Sequence, residues 1–321
     1  MPQFDFDAAV TAPFRMQPGL RRLDAGSRHL TPLAPGSRHQ REKLAVLSAY
    51  PAQALCAAPG FDDDVVQAAL AALCGHAAVE HPQAWTWDGQ RAQALSLGTA
   101  ATTAGEVEQF AAGVFGLGDE IGRCLRGLAP AWRLAGLLSL TFAEDFALVD
   151  ADSGRIPWLA VCLPSHWAPE DKVGRHFTEI HAPVADNQTL LKAGDSLLQL
   201  ISGPDRWERF VWNVTDQPRL HAHPKHCDGD RWPSGDIDRA WLRSERQTFI
   251  PIQAETGRRQ AWFTIFVDLV PLIDVVRDPG RSAALHTAIS SMSPAVLAYR
   301  GLTRVQRPLL AWLERHTTRQ A

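Results

Sequence analysis

Tyrosine is nearly absent from the chain, with two in 321 residues against eleven tryptophans. Methionine is scarce as well, with three. Tryptophan is costly to place unless it packs a core or lines a pocket, so its excess predicts either plain core filling or an aromatic cavity. The five cysteines (56, 74, 124, 162, 227) form no C-x-x-C pair and no regular spacing. That excludes a cysteine-rich metal framework and suggests reduced thiols. Charge of one sign is also missing: the formal net charge is −3, which gives no basic field for nucleic acid or an anionic membrane. No apolar run approaches the ~18 residues of a membrane span. The N-terminus MPQFDFDAAV lacks a basic segment followed by a long apolar one, so a cytoplasmic protein is expected.

Pro, Gly and Arg enrich the first 40 or so residues, which predicts irregular surface chain. REKLAVLSAYPAQALCA (41–57) is amphipathic, and Pro51 should break or kink it. DDDVVQAALAALCGHAAVE (62–80) opens on three aspartates that suit a helix N-terminus. EVEQFAAGVFGLGDEIGRCLRGL (106–128) has helix-like spacing weakened by glycines. From about residue 140 the texture changes. AEDFALVDA (143–151) and RIPWLAVCLP (155–164) are apolar runs around Asp152-Ser153-Gly154, a hairpin signal. Helices are expected over 169–182 and 190–201, and a strand over 209–216. A second hairpin joins RQTFIPI (246–252) to RQAWFTIFVDLV (259–270) through AETG, and the tail from Asp278 is helical. A hairpin, a helical crossover and three more strands describe an α+β fold: a PAS-like antiparallel sheet with helices over one face, elaborated by N- and C-terminal helices. The expected division is an N-terminal extension and helices packing on the core (1–140), a PAS-like core (141–275) and C-terminal helices (276–321), together one compact domain.

The stretch CLPSHWAPEDKVGRHFTEIHAP (162–183) concentrates imidazole beside an apolar face. Val173, Phe177, Ile180 and Val184 fall on one helical stripe, with His181 one turn after Phe177 and His176 on the other flank. Pro183 disfavours helix beyond Ala182, so His181 is expected at a helix end in apolar surroundings. Two readings suit such an imidazole. It is an axial ligand for haem, or a core histidine bonded to a backbone carbonyl. A second cluster, HAHPKHC (221–227), offers zinc donors, but its spacing matches no common framework and a solvated loop is the better expectation. SHW (165–167) lacks the G-x-S-x-G context of a serine nucleophile.

The Glu144-Asp145-Phe146 triplet, CLPSHWAPEDKVGRHFTEIHAPV (162–184) and LRSERQTF (242–249) together resemble the haem-dependent oxidative N-demethylase family. Shorter matches are PFRMQPGL (13–20), FTI (263–265) and PL (271–272). The resemblance implies a PAS-like domain that binds haem b. It also implies an enzyme that uses O2 and external electrons to oxidise an N-methyl group of a small amine, releasing formaldehyde. Electrons would come from NADPH through partner proteins with flavin and iron–sulfur centres. This chain has no G-x-G-x-x-G and no cysteine cluster for either group.

By the same resemblance His181 is the axial iron ligand. Lys172, Arg209, Arg243 and Arg246 are candidates for the haem propionates. On a strand, Arg243, Glu245 and Gln247 share one face and Arg246 points to the other. Glu144, Asp145 and Glu245 are the candidates for attracting an ammonium group or relaying protons. Trp167 and Trp212 are expected to wall the pocket or a cationic substrate. Three positions depart from the family pattern: Val211 replaces an amide, Phe266 a basic or polar residue, and Ala185 a proline. The competing function is a haem- or ligand-binding sensor or accessory protein without turnover.

Overall fold

The computed structural model describes residues 4–114, 118–252 and 257–318. Branched and aromatic residues dominate 145–160 and 207–271, and these segments form the main sheet. Its strands are β1 (Arg21–Arg22), β2 (Leu55–Ala57), β7 (Asp145–Asp150), β8 (Arg155–Ala160), β9 (Trp207–Thr215), β10 (Trp241–Ile252) and β11 (Gln260–Pro271). A separate sheet of β3 (Trp85–Trp87), β4 (Arg91–Ala94), β5 (Thr99–Thr102) and β6 (Val107–Gln109) lies between them in the chain. The seven-stranded sheet runs β1-β9-β10-β11-β7-β8-β2, and every neighbouring pair is antiparallel. The fold is α+β.

The register assigns each side chain to a face. Arg209 lies opposite Gln247, Val211 opposite Glu245, and Asn213 opposite Arg243, so these six share one face. Phe249 and Phe263 continue that face, with rings stacked at 5.1 Å. Phe177, Leu198 and Ile201 of the crossover pack on them, so the helices Phe177–His181 and Gly194–Ile201 cover this side. Trp212, Val214 and Leu242 point the other way. They are buried with the C-terminal helices Pro279–Ser290, Pro294–Arg300 and Gln306–Thr318. Trp262, Trp158 and Phe146 join the helices Asp63–Glu80 and Arg133–Thr141 in the largest core. The tryptophan excess is thus mostly core: Trp85, Trp232 and Trp262 are among the largest fully buried side chains. No helix among the described residues is long and apolar enough to cross a membrane.

Several expectations are corrected. The helix expected over 169–182 is a 3-10 turn at Pro169–Asp171, a break, and a short helix Phe177–His181. Gly174 causes the break, because it sits at φ 75°, outside helical geometry. The segment 190–201 divides into Gln188–Lys192 and Gly194–Ile201. The helix expected over 106–128 starts as strand β6 and becomes helical at Glu120–Gly127, while 115–117 fall outside the described residues. Pro51 does end a helix: Arg38–Ala49 stops before it, and a turn of helix Pro51–Ala54 leads into β2. The irregular N-terminal region contains β1 and a short helix at Phe6–Ala9. Most of the AETG turn lies outside the described residues.

Candidate haem site

His181 ends the helix Phe177–His181, on the sheet side that carries Arg209 and Glu245. The helix begins with His176 at its N-cap, whose ring accepts from Thr178 N while Glu179 accepts from His176 N at 2.7 Å. His181 Nδ1 lies 2.8 Å from the Phe177 carbonyl oxygen, and the two rings lie 4.1 Å apart. A carbonyl can only accept, so the proton is on Nδ1 and the Nε2 lone pair is free. Burial holds the imidazole down at about 4, the Phe177 carbonyl opposes that, and the Arg209 and Lys172 cations add to it. The ring is therefore neutral at ordinary pH and presents one unshared ligand atom.

The cations nearby are unpaired. Burial lowers Arg209, with Glu245 and Tyr299 opposing, and its Nε is buried without a hydrogen-bond partner. Lys172 is half-buried and lowered by burial and then by Arg175. Arg231 is lowered by burial as well, with Tyr299 and Cys227 opposing. None of the three side chains has a carboxylate or carbonyl oxygen within hydrogen-bond reach among the described residues. Half-buried cations without a partner are costly unless an anion completes them. Glu245 is the buried carboxylate of the group, and Gln247 Nε2 donates to it at 2.6 Å. Tyr299, raised by burial, feels Arg231, Arg209 and Glu245. A neutral imidazole beside a set of unpaired guanidinium and ammonium groups is the donor set a dianionic porphyrin requires, so the residues present fit haem.

Other residues marked by the sequence lie elsewhere or are already engaged. Arg243, Glu245 and Gln247 share a face and Arg246 the other, as strand alternation predicts. Arg243, however, donates to Ser165 Oγ at 2.8 Å and to the carbonyls of Arg219, Leu220 and Pro164 at 2.9, 2.7 and 3.2 Å. That is a clamp on two loops, and it leaves little for a propionate. Arg246 pairs with buried Glu208 at 2.8 Å on the opposite face and bonds the Arg28 carbonyl. Trp212 also lies on that opposite face, where Nε1 donates to the Ala9 carbonyl at 2.9 Å. Trp167 stays on the His181 side, packed against the cluster of Cys56, Ala147, Leu159 and Val161.

Glu144 accepts from Thr31 N and Oγ1, both at 2.8 Å. Asp145 accepts from Leu163 N at 2.7 Å and pairs with fully buried Lys43 at 3.1 Å. Both carboxylates therefore anchor the start of β7. Of the departures from the family pattern, Val211 faces the site, whereas Phe266 is buried on the other face against His39.

The segment 221–227 is a loop, as expected, but not a solvated one throughout, because His221 and His223 are buried. Their partners are separate: His221 bonds the Cys162 carbonyl, His223 bonds Glu170, and His226 bonds Gln53. Among the described residues these donors do not converge on a metal position.

Arg231, Tyr299 and His166 were not foreseen. His166 adopts φ 61° and is held down at about 3 by burial and then by Arg231 and Arg243. Its place inside the 162–184 motif was the one available signal. Arg231 and Tyr299 come from a loop and a C-terminal helix that carry no motif.

A family model described as haem-dependent oxidative N-demethylase, alpha subunit-like, matches residues 37–310. The chain belongs to this family.

Proposed function

We propose that this member of the family binds haem b on the sheet face of Arg209 and Glu245, where His181 Nε2 would hold the iron. The observation that carries the reading is the free Nε2 of a neutral, half-buried His181 beside unpaired Arg209 and Lys172. Arg209, Lys172 and Arg231 would neutralise the propionates, and Trp167 and Phe177 would border the ring. The five strands β8-β7-β11-β10-β9, with a helical crossover on one face, support the PAS-like description.

The reaction proposed is oxidative demethylation of a small methylated amine. Bound haem supplies the O2 chemistry, with electrons delivered from NADPH by flavin and iron–sulfur partner proteins. The net change would take a methylated amine, O2, two electrons and two protons to the demethylated amine, formaldehyde and water. Glu245 is the group of this chain suited to hold a substrate ammonium or pass a proton. It is a carboxylate facing the site, steadied by Gln247. Glu144 and Asp145 would contribute by fixing β7 rather than by touching substrate.

The second reading, a haem protein without turnover, is favoured by Val211, which puts a branched apolar side chain directly opposite Glu245. Purified protein tests both readings. A Soret band together with formaldehyde release from a panel of methylated amines, given O2 and a reductase system, is the expected result. A Soret band without formaldehyde across the panel selects the second reading, and absence of haem after reconstitution overturns both.

A further inference from the structure

Away from the His181 side, the helix Asp63–Glu80 carries His76 and Glu80 one turn apart, and the extended segment before β2 lays His29 against them. His29 Nδ1 lies 3.1 Å from His76 Nε2 and 3.2 Å from Glu80 Oε1, and His76 Nε2 lies 3.5 Å from that same oxygen. These three atoms make a nearly equilateral triangle. Zinc bonds of 2.0–2.1 Å in a tetrahedron set their ligand atoms about 3.3 Å apart, which is the average edge of this triangle. Hydrogen bonding alone accounts for it poorly, since one proton on His29 Nδ1 can serve only one of its two equidistant neighbours.

We propose that His29 Nδ1, His76 Nε2 and Glu80 Oε1 form a zinc site that fastens the segment 28–31 to the helix Asp63–Glu80. Two imidazoles and one carboxylate are a zinc donor set that leaves the fourth position for water. The carboxylate is held as a ligating carboxylate should be: His29 N donates to Oε1 at 2.8 Å and Leu30 N to Oε2 at 2.9 Å. His81, next in sequence, is not a fourth ligand, because its Nε2 bonds the Leu30 carbonyl at 2.7 Å and its Nδ1 faces Arg28 at 3.1 Å. Exposure grades from His29 at 3% through Glu80 at 12% to His76 at 28%, so the ion enters from the His76 side.

The segment so fastened touches the sheet twice more. Thr31 holds the Glu144 carboxylate, and the Arg28 carbonyl accepts from Arg246. The zinc site thus ties the helix Asp63–Glu80 to the beginning of β7, independent of the His181 side.

The test is elemental analysis of the full-length protein after equilibration with zinc chloride and removal of loosely bound metal, with iron counted separately. About one zinc per chain is expected in the wild type, and a loss of about tenfold or more in His76→Ala and in Glu80→Gln, each with unchanged far-ultraviolet circular dichroism. A wild type without zinc overturns the proposal, as does zinc that survives in His76→Ala or is lost only in Cys227→Ala. Thermal unfolding of the wild type gives a reading that needs no variant. Chelation should lower the midpoint and zinc chloride should restore it, and a midpoint unmoved by chelation counts against the site.

Discussion

The Nδ1 atom of His181 and the carbonyl oxygen of Phe177 are bonded within one helical turn, at 2.8 Å. This bond fixes the tautomer, aims Nε2 away from its own helix, and ties ring orientation to the backbone rather than to a distant side chain.

Replacing His181 by alanine should therefore remove the iron ligand with little damage to the fold, since the ring packs mainly on Phe177. Haem retained after purification should fall by about tenfold or more, and added imidazole should partly restore the Soret band. An unchanged Soret band and full haem content would sink the assignment.

Arg209 separates cofactor binding from stability. Its guanidinium has no protein partner among the described residues, so Arg209→Met should leave haem-free stability unchanged or raise it by about 1 kcal/mol. The same substitution should weaken haem binding by about tenfold, read by titrating haem into apo protein. Equal haem affinity in the two proteins would remove Arg209 from the site.

Arg243 should behave in the opposite way. Its guanidinium serves one hydroxyl and three carbonyls between the loops at 164–165 and 219–220. Arg243→Met strands those acceptors and should cost about 3 kcal/mol in urea unfolding of the apo protein. A change below about 1 kcal/mol would show that water replaces the clamp.

Glu144 gives a pH signature. Burial pushes its carboxyl up to about 7, against the Thr31 hydrogen bonds and Lys43. The native state then holds a proton that the unfolded chain has released above its ordinary value near 4.5. Stability should be fully present below that ordinary value, decline as pH rises through about 7, and level off above, with a total loss of up to about 3 kcal/mol. Glu144→Gln should flatten this part of the profile and stabilise the protein at alkaline pH. A wild-type profile already flat over that interval would refute it.

The sheet was legible because 145–271 is rich in branched and aromatic residues and because Asp152-Ser153-Gly154 marks a turn with little ambiguity. The small sheet was not. Strands such as Arg91–Ala94, with Arg, Ala, Gln and Ala, carry no strand propensity and are held by their neighbours instead. The break at Gly174 was hidden for a similar reason, since a lone glycine inside a helical stripe reads as tolerated until its φ is known. At the site, His181 and Arg209 were legible within motifs. Arg231 and Tyr299 were not, because only the closing of the loop after β9 and of the helix Pro294–Arg300 brings them near. Arg243 was legible as important but not as a loop clamp, since its partners are carbonyls and carbonyls leave no trace in a sequence.

Gly154 adopts φ 66°, and a Cβ there would stand 2.3 Å from His176 Nε2. Its carbonyl accepts from Phe177 N at 2.8 Å. The tip of the β7–β8 hairpin is thus part of the mounting for the helix that carries His181. Surface turns ordinarily drift in length and composition, but this one cannot drift alone: lengthening it would tilt the imidazole five residues beyond His176. Variation among relatives should therefore spare this corner while neighbouring loops change freely.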